Sequence, residues 1–451
     1  MMAHADPSAR PLKSIEDLRS TGIRVVRLSF SDLHGVCRSK DMPLEVFAST
    51  RGSEFVAAIF ALDLASNALD TPGSAFGPTA GYPDMRVVAR METLTRLSWE
   101  KDTAWCLGDI AEDSPMRKYS PRALLERVVA RYRDMGMVPI VGPEVEFFLL
   151  WRDEGEGLQP YVNRPAMVYT TGHPSDPAGV VRTLLEAAGD MELQALASSA
   201  EFSPGQFEIN LLHGEALDAA DRAFRFRTMV KEIAARGGLL ATFMGKPLAH
   251  ETGSGLHLHV SLNDEQERNA FDQPDAEEGI SLLARFFLAG VLDHAPALMA
   301  ILAPTINAYK RLVPNSFVPL AATWGFDNRT VFVRVPPGRG MQTRLEVRGA
   351  DASANPYLAM AAVLLAGLDG IQRKLDPPPP VYGDVSGAIP QAEALPRSLD
   401  ASLVALRADD YLSEAFGQAL VEAFCAVKES ELQRFHAAVT DWEVREYAWH
   451  L

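Results

Sequence analysis

The spacing of hydrophobic positions changes character along the chain. Between residues 22 and 115 it is short and strand-like. Residues 23–32 (IRVVRLSFSD), 55–64 (FVAAIFALDL) and 103–110 (TAWCLGDI) are apolar runs divided by loops rich in Gly, Pro, Asn and Asp. This pattern predicts a small mixed sheet. A helix is then expected from Ser120 as N-cap and Pro121 as first helical residue to near Gly136, with Leu124, Leu125, Val128, Val129 and Tyr132 on one face. A strand follows at 138–150. Further strands at 206–211, 239–243, 255–262, 329–335 and 343–348 alternate with helical periods at 178–188, 216–236 and 280–300. The run 357–371 (YLAMAAVLLAGLDGI) is interrupted by Asp369 and too short to span a bilayer, so it is expected to be a buried core helix. The chain is helical and amphipathic beyond about residue 400. These elements predict an α+β protein: a flexible tail over 1–20, a small unit over 21–117, and a larger unit over 118–451 in which a sheet is flanked by helices.

Four predicted strands break the apolar rule on one face. GPEVEFF carries Glu144 and Glu146; EFSPGQFEIN carries Glu201 and Glu208; GLHLHV carries His257 and His259; TRLEVRG carries Arg344, Glu346 and Arg348. Side chains two apart on a strand share a face, so each stretch is a polar stripe opposite an apolar one. Taken singly, an E-x-E strand is more often a solvated face, a histidine among apolar residues a satisfied core group, and an Arg-Glu-Arg run a weak surface ladder. Together, on strands whose other face is apolar, they predict converging carboxylates that need a cation. Carboxylates with an occasional imidazole suit Mg²⁺ or Mn²⁺. Arg311, Arg329, Arg334, Arg344 and Arg348 add the guanidinium groups that phosphoryl transfer uses.

Composition narrows the choice. The chain has 451 residues, 47% of them hydrophobic, and a formal net charge of -16, which disfavours a sequence-blind nucleic-acid binder. Cys37, Cys106 and Cys425 are isolated, so neither a disulfide framework nor a zinc knuckle is expected. The N-terminal stretch MMAHADPSARPLK has no apolar core of a signal peptide, and a cytoplasmic location without membrane association is expected. There is no GxxxxGK[ST] loop, no strand-linked GxGxxG and no GxSxG, and HETGSG has Ser254 where a zincin would need its second histidine.

In order along the chain, GPEVEFFL, PGQFEIN, ATFMGKP, GSGLHLHVSL, NAYKRLVP, NRTVFVRVP and RLEVRGADASANPYL resemble the motifs of the glutamine synthetase superfamily, over residues 20–450. The resemblance implies a β-grasp-like N-terminal domain, a catalytic domain with a curved sheet, and a dodecamer of two hexameric rings with active sites between neighbours. It implies about two or three Mg²⁺ or Mn²⁺ ions per site, one held by Glu146, Glu201 and Glu208 and another by Glu144, His257 and Glu346. Glutamate would meet Gly253, Arg311 and Arg348. ATP would meet Arg329, Arg334 and Arg344, with Ser261 near the nucleoside. Arg311 and Arg334 would act on the reacting groups, through a γ-glutamyl phosphate that an amine then attacks.

Three departures from the family pattern are visible. The flap after KRLVP, which carries a glutamate in ammonia-using members, holds Phe317 here. The glycine-rich loop begins with Thr252 instead of asparagine. No counterpart of the adenylylated tyrosine loop is present. A phenyl ring neither accepts a proton nor pairs with an ion, but it packs on apolar groups. The expectation is therefore a glutamate–amine ligase of the branch that uses mono- or polyamines, with a monoamine favoured. Asp63 of FALDLAS is the remaining candidate for holding the amine nitrogen. A glutamine synthetase using ammonia and a non-catalytic protein on the same scaffold are the alternatives.

Overall fold

The computed structural model describes residues 14–69, 75–153, 157–162, 165, 167–385 and 393–451. The first thirteen residues of the expected tail lie outside this set. Its last part is not a flexible segment: Ser14 caps a helix, Ile15–Ser20, whose Ile15 and Leu18 are buried. The Ser14 hydroxyl accepts from the Asp17 amide, so a short helix forms as soon as a cap and two apolar positions coincide.

The N-terminal strands form a six-stranded mixed sheet. Val25–Ser31 lies between Cys37–Pro43, which is antiparallel to it, and Thr103–Ile110, which is parallel; Asp84–Ala89 and Gly52–Val56 continue beyond Thr103–Ile110. The strand expected over 55–64 is mostly absent. After Val56 the chain turns into a 3₁₀ helix, Ala57–Ala61. Its alanines and phenylalanine lack the alternation that would hold a pleat.

A ten-stranded sheet makes the larger layer, and its centre is one long strand, Met137–Asp153. Gln206–Leu211 and Leu256–Asp264 flank it antiparallel, and Leu345–Val347, Val333–Val335 and Trp324–Phe326 extend the sheet beyond Leu256–Asp264. One face of the central strand is core. There Phe147 lies 6.1 Å from Phe226 of the helix Ala216–Arg236 and 5.7 Å from Phe243. The opposite face carries the polar stripe.

The helix Pro121–Arg133 starts at the expected cap, with the Ser120 hydroxyl accepting from the Ala123 amide. The apolar run is the buried helix Pro356–Arg373, capped by Asn355. The helix expected over 280–300 is two, Leu282–Asp293 and Ala295–Leu302, bent by 74°. Pro296 lies in the first turn of the second, where its missing N–H is tolerated. His294 sits at the bend, between Asp369 at 3.0 Å and Asp409 at 2.5 Å. Among the described residues no single helix is long and apolar enough to cross a membrane. The three cysteines are free.

Candidate active site

Strand register assembles the polar face. Glu144 stands opposite His257 on one neighbour and Asn210 on the other; Glu146 stands opposite Glu208; His259 stands opposite Glu346. Residues from four separated motifs thus fall on one patch of three adjacent rows, because alternation puts each on the same side of the sheet.

Two groups of donors on this face are tight enough to hold an ion. The ligand atoms of Glu144, His257 and Glu346 lie within 4.8 Å of one another, as do those of Glu146, Glu208 and His257. Glu144 and Glu146 fall in different groups. Glu201 belongs to neither, and His257 completes the second group in its place. Glu201 is nonetheless buried, and close enough for the charges of Glu146 and Glu144 to act on its carboxyl.

The carboxyls respond in opposite directions. Burial and the charges of Glu144, Glu146 and Glu201 push Glu208 up to about 8. Burial and Glu146 push Glu201 up to about 7. On the other side of the patch, burial also works against ionised Glu346, but Arg348, His257 and His259 outweigh it and hold the group at about 2. Glu144 is likewise held below the usual carboxylate range, since hydrogen bonds from His257 and His259 overcome its burial. The half with arginines is thus electrically satisfied, whereas the half around Glu146, Glu201 and Glu208 has surplus negative charge. A hard divalent cation fits this donor set of carboxylates and one imidazole.

Glycines bring backbone into the patch. The Gly255 amide donates to Glu146 Oε2 at 2.7 Å, and a side chain at Gly255 would meet His257 Nε2 and Arg311 Nη2. One at Gly253 would strike the Gly245 carbonyl and the Arg311 stem. Arg311 is buried; its Nη2 donates to the Ala350 carbonyl at 3.0 Å, while its buried Nη1 has no hydrogen-bond partner.

The remaining arginines surround the carboxylates. Arg334 joins Glu346 at 2.6 Å to Asp327 at 2.6 Å. Arg348 is buried, pairs with Glu346, and donates from Nε to the Arg329 carbonyl at 3.1 Å and from Nη2 to the Phe317 carbonyl at 3.4 Å. Arg344 Nε donates to His259 Nδ1 at 3.0 Å, and the Arg329 side chain is exposed. Ser261 continues the histidine face two residues beyond His259. Phe317 is exposed and stacks on Phe202.

Asp63 does not join this cluster within the chain. It is buried and takes Asn67 at 2.9 Å and an ion pair from Arg434 in the helix Gln418–Ala437. The residues FALDL gave no sign of that partner.

Two participants, Gln206 and Ser203, carried no local signal. Gln206 is buried, donates to Glu146 Oε2 at 3.3 Å and to the Gly253 carbonyl at 3.0 Å, and accepts from Thr252 Oγ1 at 2.5 Å. Ser203 Oγ lies 2.7 Å from Thr252 Oγ1. Thr252 is therefore occupied with the loop that carries Glu201. His259 shares the histidine stripe, and its Nε2 lies 2.9 Å from Glu144.

The arrangement sets carboxylates and an imidazole able to hold a divalent metal beside several arginines, and the comparisons give the class of protein that carries it. Residues 118–447 match the family model of the glutamine synthetase catalytic domain. A glutamine synthetase of Halobacterium salinarum is 34% identical, covering 99% of this chain and 99% of its own. A glutamate–isopropylamine ligase of a Pseudomonas species is 33% identical over 97% of each. A solved structure described as a GmaS/ADP complex superposes with a TM-score of 0.86 at 33% identity, covering 96% of this chain and 99% of that one. The chain belongs to the glutamine synthetase family. It is a ligase of that family, which uses ATP, a divalent metal, glutamate, and ammonia or an amine.

Proposed function

We propose that this protein joins the γ-carboxylate of L-glutamate to an amine other than ammonia. The observation that carries this reading is Phe317. An aromatic side chain without acid–base chemistry stands at the position that the family resemblance assigns to the flap, beside the residues assigned here to metal and phosphate. A bound Mg²⁺ or Mn²⁺ would neutralise phosphate charge. Glu144, His257 and Glu346 are assigned to one ion, and Glu146, Glu208 and Glu201 to another.

The chain's own residues account for the rest. Arg311 has a buried Nη1 without a hydrogen-bond partner, which suits a substrate carboxylate, and Arg348 reaches the flap through its bond to the Phe317 carbonyl. Both are assigned to glutamate, with Gly253 leaving room for its backbone atoms. Arg329, Arg334, Arg344 and Ser261 are assigned to ATP. A glutamate γ-oxygen attacks the γ-phosphorus and ADP leaves. The amine nitrogen then attacks the acyl carbon, phosphate leaves, and the nitrogen loses a proton. Arg334 stabilises the transferring group. Asp63 is assigned to the site of an adjoining subunit in a double-ring dodecamer.

The similarity to a glutamate–isopropylamine ligase supports the amine reading, while that to the Halobacterium glutamine synthetase favours ammonia. Phosphate release with glutamate and Mg-ATP, measured across ammonium and a panel of primary amines, distinguishes the two. The proposal expects turnover with one or more amines well above that with ammonium. Strong turnover with ammonium alone would overturn it.

A further inference from the structure

Two phenyl rings stand in solvent where packing gives no reason for them. Phe202 and Phe317 are 54% and 52% exposed, yet their centroids are 5.8 Å apart and their planes inclined by 29°. They come from loops more than a hundred residues apart, and each is tied to the carboxylate face. Phe202 directly follows Glu201 and precedes buried Ser203, whose hydroxyl accepts from the Thr252 amide at 2.7 Å. Phe317 gives its carbonyl to Arg348 and holds a φ of +54°. That left-handed conformation is unfavourable for a bulky side chain, and such outliers collect at ligand clamps.

We propose that Phe202 acts with Phe317 as an apolar clamp for the carbon tail of the acceptor amine, and that the amine class is a short primary alkylamine without a second charge. The inference rests on the ligase reading above and names its substrate class. Stacked rings offer polarisable apolar faces, so each methylene of an alkyl tail gains by leaving water. A distal ammonium would find only partly exposed rings, where cation–π attraction is weak. The carboxylate adjoining the pair, Glu201, faces the metal-binding cluster. Phe202 thus sets which tail is accepted.

The test compares kcat/KM of the full-length enzyme for methylamine, propylamine and 1,3-diaminopropane, with glutamate and Mg-ATP, in wild type, Phe202→Ala and Phe202→Leu. Wild type should prefer propylamine to both others. Phe202→Ala should lower the propylamine-to-methylamine ratio about tenfold or more, chiefly through KM, and Phe202→Leu should restore part of it. The thermal shift on adding Mg-ATP reports that each variant is folded and binds nucleotide. The clamp is overturned, with the ligase reading intact, if wild type uses propylamine but Phe202→Ala leaves the ratio unchanged. The same holds if that variant lowers kcat equally for every amine, or if 1,3-diaminopropane is the better substrate. If wild type forms no amide with any amine, the ligase reading itself falls and the clamp falls with it.

Discussion

Glu208 and Glu346 face the same patch and are both shielded from water, yet one is driven toward protonation and the other away from it. The difference is the counter-charge: Glu346 pairs with Arg334 and Arg348, whereas Glu208 has no arginine partner, stands among other carboxylates with the His257 ring near by, and accepts from the Asn210 side-chain amide at 2.9 Å. A divalent cation must therefore displace protons from Glu208 and Glu201. Apparent Mg²⁺ affinity should fall as pH drops from about 8 to about 6, with proton release visible by calorimetry in buffers of different ionisation enthalpy. Stability of the metal-free protein should move the opposite way. The raised groups bind more protons folded than unfolded, so their contribution is complete below the ordinary glutamate value and is lost as pH rises through about 7 to 8. At the flap, Phe317→Glu restores a proton acceptor, and activity with ammonium should rise several-fold in a phosphate-release assay. The carboxylate stripes were legible because period two is a local property. Gln206 and Phe202 were not, because their meaning lies in partners such as Glu146, Gly253 and Phe317, which only the folded sheet and loops bring near.

At the scale of elements, helices announced by caps were the most legible. Ser120, Pro121 and the apolar face of Pro121–Arg133 agree at every level, and the Ser120 hydroxyl also donates to buried Asp109 at 2.6 Å. Ser120→Ala removes both bonds and should cost about 1–2 kcal/mol, read as a lower denaturation midpoint. Ser120→Thr should recover much of the loss. The break at His294 was illegible because the apolar period runs on through it. The bend coincides with Pro296 and with Asp369 and Asp409, which reach His294 from the helix Pro356–Arg373 and from the N-cap of the helix Asp410–Phe416. The 3₁₀ segment Ala57–Ala61 misled for the complementary reason, since an apolar run without alternation fits either element.

Across the whole molecule, the N-terminal sheet is fastened to the larger unit by polar contacts that no local pattern encodes. Glu232 accepts from Arg27 at 2.8 Å and from Trp99 at 2.8 Å, and Asn355 donates to the Asp32 carbonyl at 2.9 Å while capping the core helix. Arg434 closes on Asp63 at the same junction. The fold itself was legible from the order of motifs, because each motif is a strand or loop whose chemistry constrains its neighbours. The acceptor amine is the property that rests on least, a flap residue and its aromatic partner. The most direct measurement is therefore a competition: full-length enzyme, glutamate and Mg-ATP with equimolar ammonium and propylamine, products identified by mass. The account predicts γ-glutamylpropylamide as the main product with little glutamine. Glutamine as the main product would contradict it.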